Sequence, residues 1–171
     1  MPKVVFVKKA VKDNEVCKKG ESYYWWQNYR GPKQFSKERP RPSRTVGSGF
    51  LSDVYSKQEQ IEDMTADQSV EDIKAEVDNL ISEIQDLASE QEDKLSNMPD
   101  SLQQGPTGEL LQNRAEELNS WADELQSAVD GAEDEEEVEG TDEEKEEIEE
   151  ANKTKRENLL EEVQVTSYNG E

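Results

Sequence analysis

The sequence predicts a mainly α-helical protein: an antiparallel coiled-coil helical hairpin with a small N-terminal antiparallel β-sheet and an acidic, partly disordered C-terminal helix. Three observations carry that expectation. Two stretches space apolar residues three and four positions apart, aromatic and β-branched residues gather before residue 45, and carboxylates crowd the chain after Asp130. The segments divide as 1–45, a basic aromatic β module with its linker; 46–130, the hairpin; and 131–171, the acidic linker and C-terminal helix.

Val4 to Val7 are β-branched or aromatic and lead to Lys12-Asp13-Asn14, a turn signal. Lys19-Gly20 punctuates the chain before Ser22 to Tyr29, whose aromatics favour extended structure. Arg30-Gly31-Pro32-Lys33 then turns it back into Gln34 to Ser36. Side chains alternate along a strand, so Tyr23, Trp25, Gln27 and Tyr29 share one face and Tyr24, Trp26 and Asn28 the other. With rings on both faces of so small a sheet, one face packs and the other is available. Pro40-Arg41-Pro42-Ser43-Arg44 cannot be helical throughout, because each proline holds its predecessor extended, and it reads as a basic linker.

A helix begins near Phe50 after Gly47-Ser48-Gly49, with Phe50, Val54, Ile61 and Met64 on one side, and Thr65 to Gln68 or Ser69 can cap the next. From Ser69 to about Ser96, a helix roughly 40 Å long carries Val70, Ile73, Val77, Leu80, Ile84 and Leu87 on one narrow seam. Pro99, Gly105 and Pro106 mark a loop. Thr107 is the expected N-cap of a returning helix, where Leu111, Ala115, Leu118, Ala122, Leu125 and Val129 repeat the spacing until Gly131. Folding back costs less entropy than assembling two chains, so the seams are paired within the chain, with a homodimer as the rival. Ala115 and Ala122 leave the second seam thin, so a further helix should cover it, and Trp121 beside it reads as packing.

Residues 131–150 include 13 acids. So dense a run of like charge resists compaction, and Gly131 and Gly140 bracket it as a flexible linker. Thr141 to Glu144 fits a capping box, and Ile148, Ala151, Leu159 and Val163 give a weak stripe for a charged helix to about Glu162. Glu149 and Lys153 are in register to pair on it. Val163-Gln164-Val165-Thr166 alternates as a strand would.

At 31% hydrophobic and 36% charged residues, little is available to fill a compact globule, which favours elongated helices and exposed segments. The net charge of -22 hides a split: residues 1–45 hold 12 Lys/Arg and 4 Asp/Glu, a net +8, leaving 8 and 38, a net -30, for the rest. The average repels nucleic acid; the N-terminal segment attracts it. Cys17 is the only cysteine and histidine is absent, which excludes an intramolecular disulfide and a Cys/His zinc site. Lys18 and Lys19 would favour a Cys17 thiolate, but a small residue at a strand end is the stronger reading. No apolar run approaches the roughly 20 residues of a membrane span, and Met1-Pro2-Lys3 opens no signal peptide, so a soluble intracellular protein without a membrane partner is expected.

Cations neutralise phosphates and rings stack on bases, so interleaving both on a small sheet is what binding single-stranded or structured nucleic acid requires. Lys18, Lys19, Tyr23, Trp25, Trp26, Arg30, Lys33, Lys37, Arg39, Arg41 and Arg44 are the candidate binding residues. In the competing reading, Trp25 and Trp26 build the core of the sheet and the cations only solvate it. The acidic run reads first as a solvated tail, then as a phosphate mimic for the groove of a DNA-binding protein, and thirdly as a mask over the basic segment. An enzyme is not expected: without histidine, and with no phosphate loop, nucleophile elbow or spaced metal cluster, no catalytic residue, cofactor or metal is assigned.

The runs Val5-Phe6-Val7-Lys8-Lys9-Ala10, Lys18-Lys19-Gly20-Glu21-Ser22-Tyr23-Tyr24-Trp25-Trp26, Ser36-Lys37 and Arg41-Pro42-Ser43 resemble a family of uncharacterised proteins encoded by tailed bacteriophages. Weaker similarity continues through Met98-Pro99-Asp100-Ser101-Leu102-Gln103 and Thr107-Gly108-Glu109-Leu110-Leu111, while the acidic insertion after Asp130 is less typical. The resemblance implies a phage protein in the host cytoplasm and brings no established activity. The expectation is an accessory or regulatory protein that binds nucleic acid, or a protein associated with it, through the N-terminal module. The coiled coil would contact a host or phage protein; a DNA-mimic inhibitor and a structural assembly factor are the alternatives.

Overall fold

The computed structural model describes residues 2–28 and 31–170 and is mainly helical, with a three-stranded antiparallel sheet at its N-terminal end. Two compact units divide the chain, Met1–Glu59 and Gln60–Glu171.

The first unit contains β1 (Val5–Val7), β2 (Tyr23–Gln27) and β3 (Lys33–Ser36) in the order β1-β2-β3. Val5 opposes Trp25, Val7 opposes Tyr23, Trp25 opposes Phe35 and Gln27 opposes Lys33. Residues directly opposite share a face, so Val5, Val7, Tyr23, Trp25 and Phe35 gather on one side of the sheet. On the other side lie Phe6, Tyr24 and Trp26, with the Phe6 and Tyr24 rings 4.8 Å apart. Strands this short are marginal by themselves. Trp26, 1% exposed, supplies the large buried side chain the sheet needs.

Between β1 and β2 the chain is ordered by hydrogen bonds together with the burial of two small residues, Ala10 and Cys17. The Ala10 N–H donates to the Glu21 carbonyl (2.8 Å) and the Gly20 N–H to the Ala10 carbonyl (2.9 Å), extending the pairing beyond β1. Glu21 N–H closes a turn onto the Lys18 carbonyl, with Gly20 at φ +97°, a backbone conformation that suits glycine. Cys17 is buried within this loop, not at a strand end. In the basic linker, α1 (Pro42–Thr45) starts with proline at its first position, where the missing N–H is not needed. The Ser43 N–H and Oγ both donate to the Glu59 carboxylate (2.9 and 2.7 Å), and Ser52 Oγ donates to the Ser43 carbonyl. These bonds fasten the linker to α2 (Phe50–Asp63), so the first compact unit extends well past residue 45.

The second unit takes in the end of α2, then α3 (Val70–Ser96), α4 (Asp100–Gln103), α5 (Pro106–Gly131) and α6 (Asp142–Val165). Ser69 caps α3 by accepting the Asp72 N–H, with Glu71 and Asp72 in the favourable first turn. α3 packs on α5, and α6 packs on both. On α3, Leu87 is only half-buried, while Ala88 and Gln91 are buried beyond Ile84. A helix with 3.6 residues per turn drifts off a strict seven-residue repeat, and the buried stripe drifts with it. On α5 all six expected seam residues are buried, together with Trp121 and Ala128.

Three local expectations are corrected. α5 begins at Pro106 with Gly105 as its N-cap, so Thr107 lies inside the first turn. Gly108 is buried there, and the position requires glycine because a methyl group would run into the Gln103 carbonyl oxygen. Val163 to Val165 continue α6 instead of forming a strand: Val163 is fully buried, and Gln164 Nε2 donates to the Ile61 and Met64 carbonyls (both 3.2 Å). Finally, Lys153 pairs with Glu157 (3.8 Å), while Glu149 meets Arg156 (3.4 Å). Trp121 is core, its indole N–H donating to Thr166 Oγ1 (3.2 Å). Among the described residues, no helix is long and apolar enough to cross a membrane.

Candidate nucleic-acid interface

On one face of the sheet, Tyr23, Trp25 and Phe35 line a hollow of about 370 Å³ together with Val7, Val11, Lys12, Asp13, Asn14 and Lys33. Cross-strand register makes it. Trp25 opposes Phe35, the Tyr23 and Phe35 rings lie 5.9 Å apart, and the loop after β1 supplies the wall. The Lys33 ammonium sits 4.5 Å from the centre of the Trp25 ring, a cation–π contact at an exposed site. The rings are half-buried, with surface still open to solvent.

The wall is held rigidly. Asn14 Oδ1 accepts the N–H groups of Val16 (3.0 Å) and Cys17 (2.8 Å), and Asp13 Oδ1 accepts that of Lys19 (2.6 Å). These bonds fix both side chains on local backbone, which loops of small polar residues do readily.

The eleven residues singled out from the sequence therefore separate. Tyr23, Trp25 and Lys33 share the aromatic hollow. Trp26 is on the other face of β2, buried to 1%, with the Arg44 guanidinium 5.8 Å from its ring centre; it has no ring face left for a base and serves packing. Arg39 and Arg41 line a second hollow of about 520 Å³ with Pro2, Val4, Pro40, Pro42 and Thr45. Lys18 and Lys19 are exposed on their turn, and Lys37 is 3.7 Å from Glu21 in a solvent-exposed pair of little energetic weight. Arg30 lies outside the described residues, as does Tyr29. Missed in the sequence were Lys12, Asp13, Asn14 and Phe35; the expected turn at 12–14 and strand at 34–36 contained them, but only the register puts them around Trp25.

No family model, curated protein or solved structure matches this chain. Its function is accordingly argued from its own geometry.

The acidic segment has a different character. Residues 132–139 have no regular secondary structure, yet Asp134 pairs with Lys74 (2.8 Å), Glu136 with Lys155 (3.1 Å) and Glu135 with Arg156. The Glu135 carboxylate also accepts the Val70 N–H at the start of α3 (3.2 Å). Asn152, 1% exposed, takes the Glu136 peptide from both sides, accepting its N–H and donating to its carbonyl, each at 2.8 Å. The segment expected to be a loose linker is thus strapped to α3 and α6. Hydrogen bonding to Lys74 holds the Asp134 carboxyl below its usual range, and Arg156 does the same for Glu135. On the first half of α6, Asp142, Glu143, Glu146, Glu147 and Glu150 remain exposed.

Proposed function

We propose that this chain is a non-enzymatic accessory or regulatory protein of the phage type its motifs resemble, acting in the host cytoplasm and binding single-stranded nucleic acid through its sheet. The observation that carries the reading is the grouping of three rings and two lysines, Tyr23, Trp25, Phe35, Lys12 and Lys33, around one open hollow. Rings beside cations suit the bases and phosphates of a single strand, and stacking tolerates any base. Lys18 and Lys19 add charge along the strand's path. In this reading, α3 and α5 form an antiparallel coiled-coil hairpin with α6 as its third helix, and its carboxylate-rich surface meets a host or phage protein.

The test is fluorescence anisotropy of the full chain with labelled DNA and RNA heptanucleotides over a salt series. Binding should weaken as salt rises, with a log–log slope of about -0.7 per phosphate neutralised, and Trp25→Ala should weaken it. Absence of binding at low salt defeats the reading. A second reading is supported by the exposed carboxylates of α6: an acidic phosphate mimic that inhibits a DNA-binding host protein. It predicts competition with DNA for a host target and no oligonucleotide binding.

A further inference from the structure

Among the lysines around the aromatic hollow stands one carboxylate, Asp13, which would repel a phosphate strand. A carboxylate in such a place requires a reason. Its Oδ1 accepts the Lys19 N–H (2.6 Å), which orders the loop but leaves a second lone pair on that oxygen and both on Oδ2 able to accept. Next to it, Asn14 has its Oδ1 committed to two backbone N–H groups, so its Nδ2 is fixed in direction with donors to spare. Asp13 and Asn14, consecutive in the chain, both line the hollow with Tyr23, Trp25 and Phe35, so its wall has a carboxylate acceptor and an amide donor available.

Resting on the single-strand reading above, we infer that this hollow takes one unpaired guanine and that Asp13 is its specificity-determining residue. Guanine alone among the bases carries two adjacent donors, N1–H and the N2 amino group, on the edge exposed when it is unpaired, and a carboxylate can accept both. The neighbouring O6 then meets the Asn14 amide. Adenine and cytosine instead turn a ring-nitrogen lone pair beside their single amino donor, which a carboxylate repels, and thymine offers one N–H between two carbonyls. The rings stack on the base without choosing it; Lys12 and Lys33 take the flanking phosphates; the Asp13–Asn14 pair chooses. Single-stranded recognition through splayed bases read on this edge is a general mode.

The experiment titrates the full chain, followed by tryptophan fluorescence, with thymidine heptanucleotides whose central base is guanine, hypoxanthine, adenine, cytosine or thymine. Guanine should bind roughly five- to hundredfold more tightly than thymine, the range of a good bidentate contact, and hypoxanthine, which lacks the N2 amino group, should fall between. Asp13→Asn keeps an oxygen for the Lys19 N–H; in it the guanine advantage should disappear while all-thymidine binding rises, because a charge that repels phosphate is gone. Circular dichroism checks that the variant folds, and an Asp13→Glu variant, which restores a carboxylate, should recover part of the preference. Equal affinity for all five strands in the wild type, or an advantage that survives in Asp13→Asn, overturns the guanine assignment and leaves the single-strand reading standing. Failure to bind any of the five strands at low salt overturns both.

Discussion

The two units meet the same shortage of apolar residues in opposite ways. In the second, Ile73, Val77, Ile84, Leu118, Leu125 and Val163 are all but completely buried between helices, and the charge left on the surface is mostly carboxylate. In the first, a three-stranded sheet has one large fully buried ring, Trp26, while Tyr23, Tyr24, Trp25 and Phe35 remain half-buried and its loops hold themselves by hydrogen bonds. Helices sort residues cleanly into inside and outside; so small a sheet cannot. The difference teaches where to look for a ligand, because rings partly open to solvent beside cations are found where burial is incomplete.

The strongest way to break that contrast is to charge the helical core. Leu118 is fully buried on α5, and Leu118→Asp places a carboxylate there with no partner in view. The expected loss exceeds about 4 kcal/mol, seen as collapse of the helical circular dichroism signal; retention of a wild-type melt would mean that α5 is not packed as described. Next comes the tryptophan pair. Trp26→Ala should cost roughly 3 to 5 kcal/mol and unfold the sheet, whereas Trp25→Ala should cost under about half of that and act on oligonucleotide affinity instead. Denaturation of both variants, followed by tyrosine and near-ultraviolet signals, decides; equal losses would erase the division between core ring and platform ring.

Much of the helical unit was legible because its signal is repetition. Every expected seam residue of α5 is buried, and the Ser69 cap and the Thr141–Glu144 capping box form as the sequence requires. The strap was illegible for a physical reason. Asn152 and Arg156 continue, at the same three-four spacing, the stripe of Leu159 and Val163, but they are polar, and hydropathy patterns discard them. What they hold is a backbone segment dense in glutamate, whose composition alone reads as disordered. In the first unit the strands and turns were legible, while the hollow was not, since it depends on which residue of β3 faces Trp25.

A smaller effect separates the strap from a free tail. Asn152→Ala removes both partners of the Glu136 peptide, which should cost about 1 to 3 kcal/mol, moderated by water reaching the exposed segment. Amide exchange at Glu136 should rise strongly while that in the middle of α3 stays unchanged. Unaltered exchange at Glu136 would show that the segment is not held there. Because α6 packs on α3 and α5, cutting the chain at Asp130 would strip a helix from the core as well as charge, so neutralising exposed acids such as Glu143 and Glu147 is the cleaner test of whether the acidic run masks the basic segment.

The smallest effect is that of acid, and its sign can be worked out. Asp134 and Glu135 have carboxyls lowered from ordinary values of 3.8 and 4.5, chiefly by hydrogen bonds from Lys74 and Arg156. A carboxyl lowered on folding contributes stability that is complete above its ordinary value and is lost as the pH falls through its lowered one. The cations facing them are Lys74, Lys155 and Arg156, and the nearby acids are Asp72 and Glu149. Strap contacts should therefore be intact at pH 6 and progressively lost below about pH 4. The start of α6 follows the same sign: hydrogen bonds from Thr141 hold the Glu144 carboxyl below its ordinary value, so the capping box also weakens as the pH falls. Amide exchange corrected for intrinsic rate should show Val70, Glu136 and the first turn of α6 losing protection at pH 3 while residues 146–150 keep theirs. Added salt at pH 6 should weaken the exposed Lys74–Asp134 pair before the neutral Asn152–Glu136 bonds. Protection that falls equally across 132–150 would mean that the acidic run behaves as one uniform polyelectrolyte, and the strap would lose its distinction from a tail.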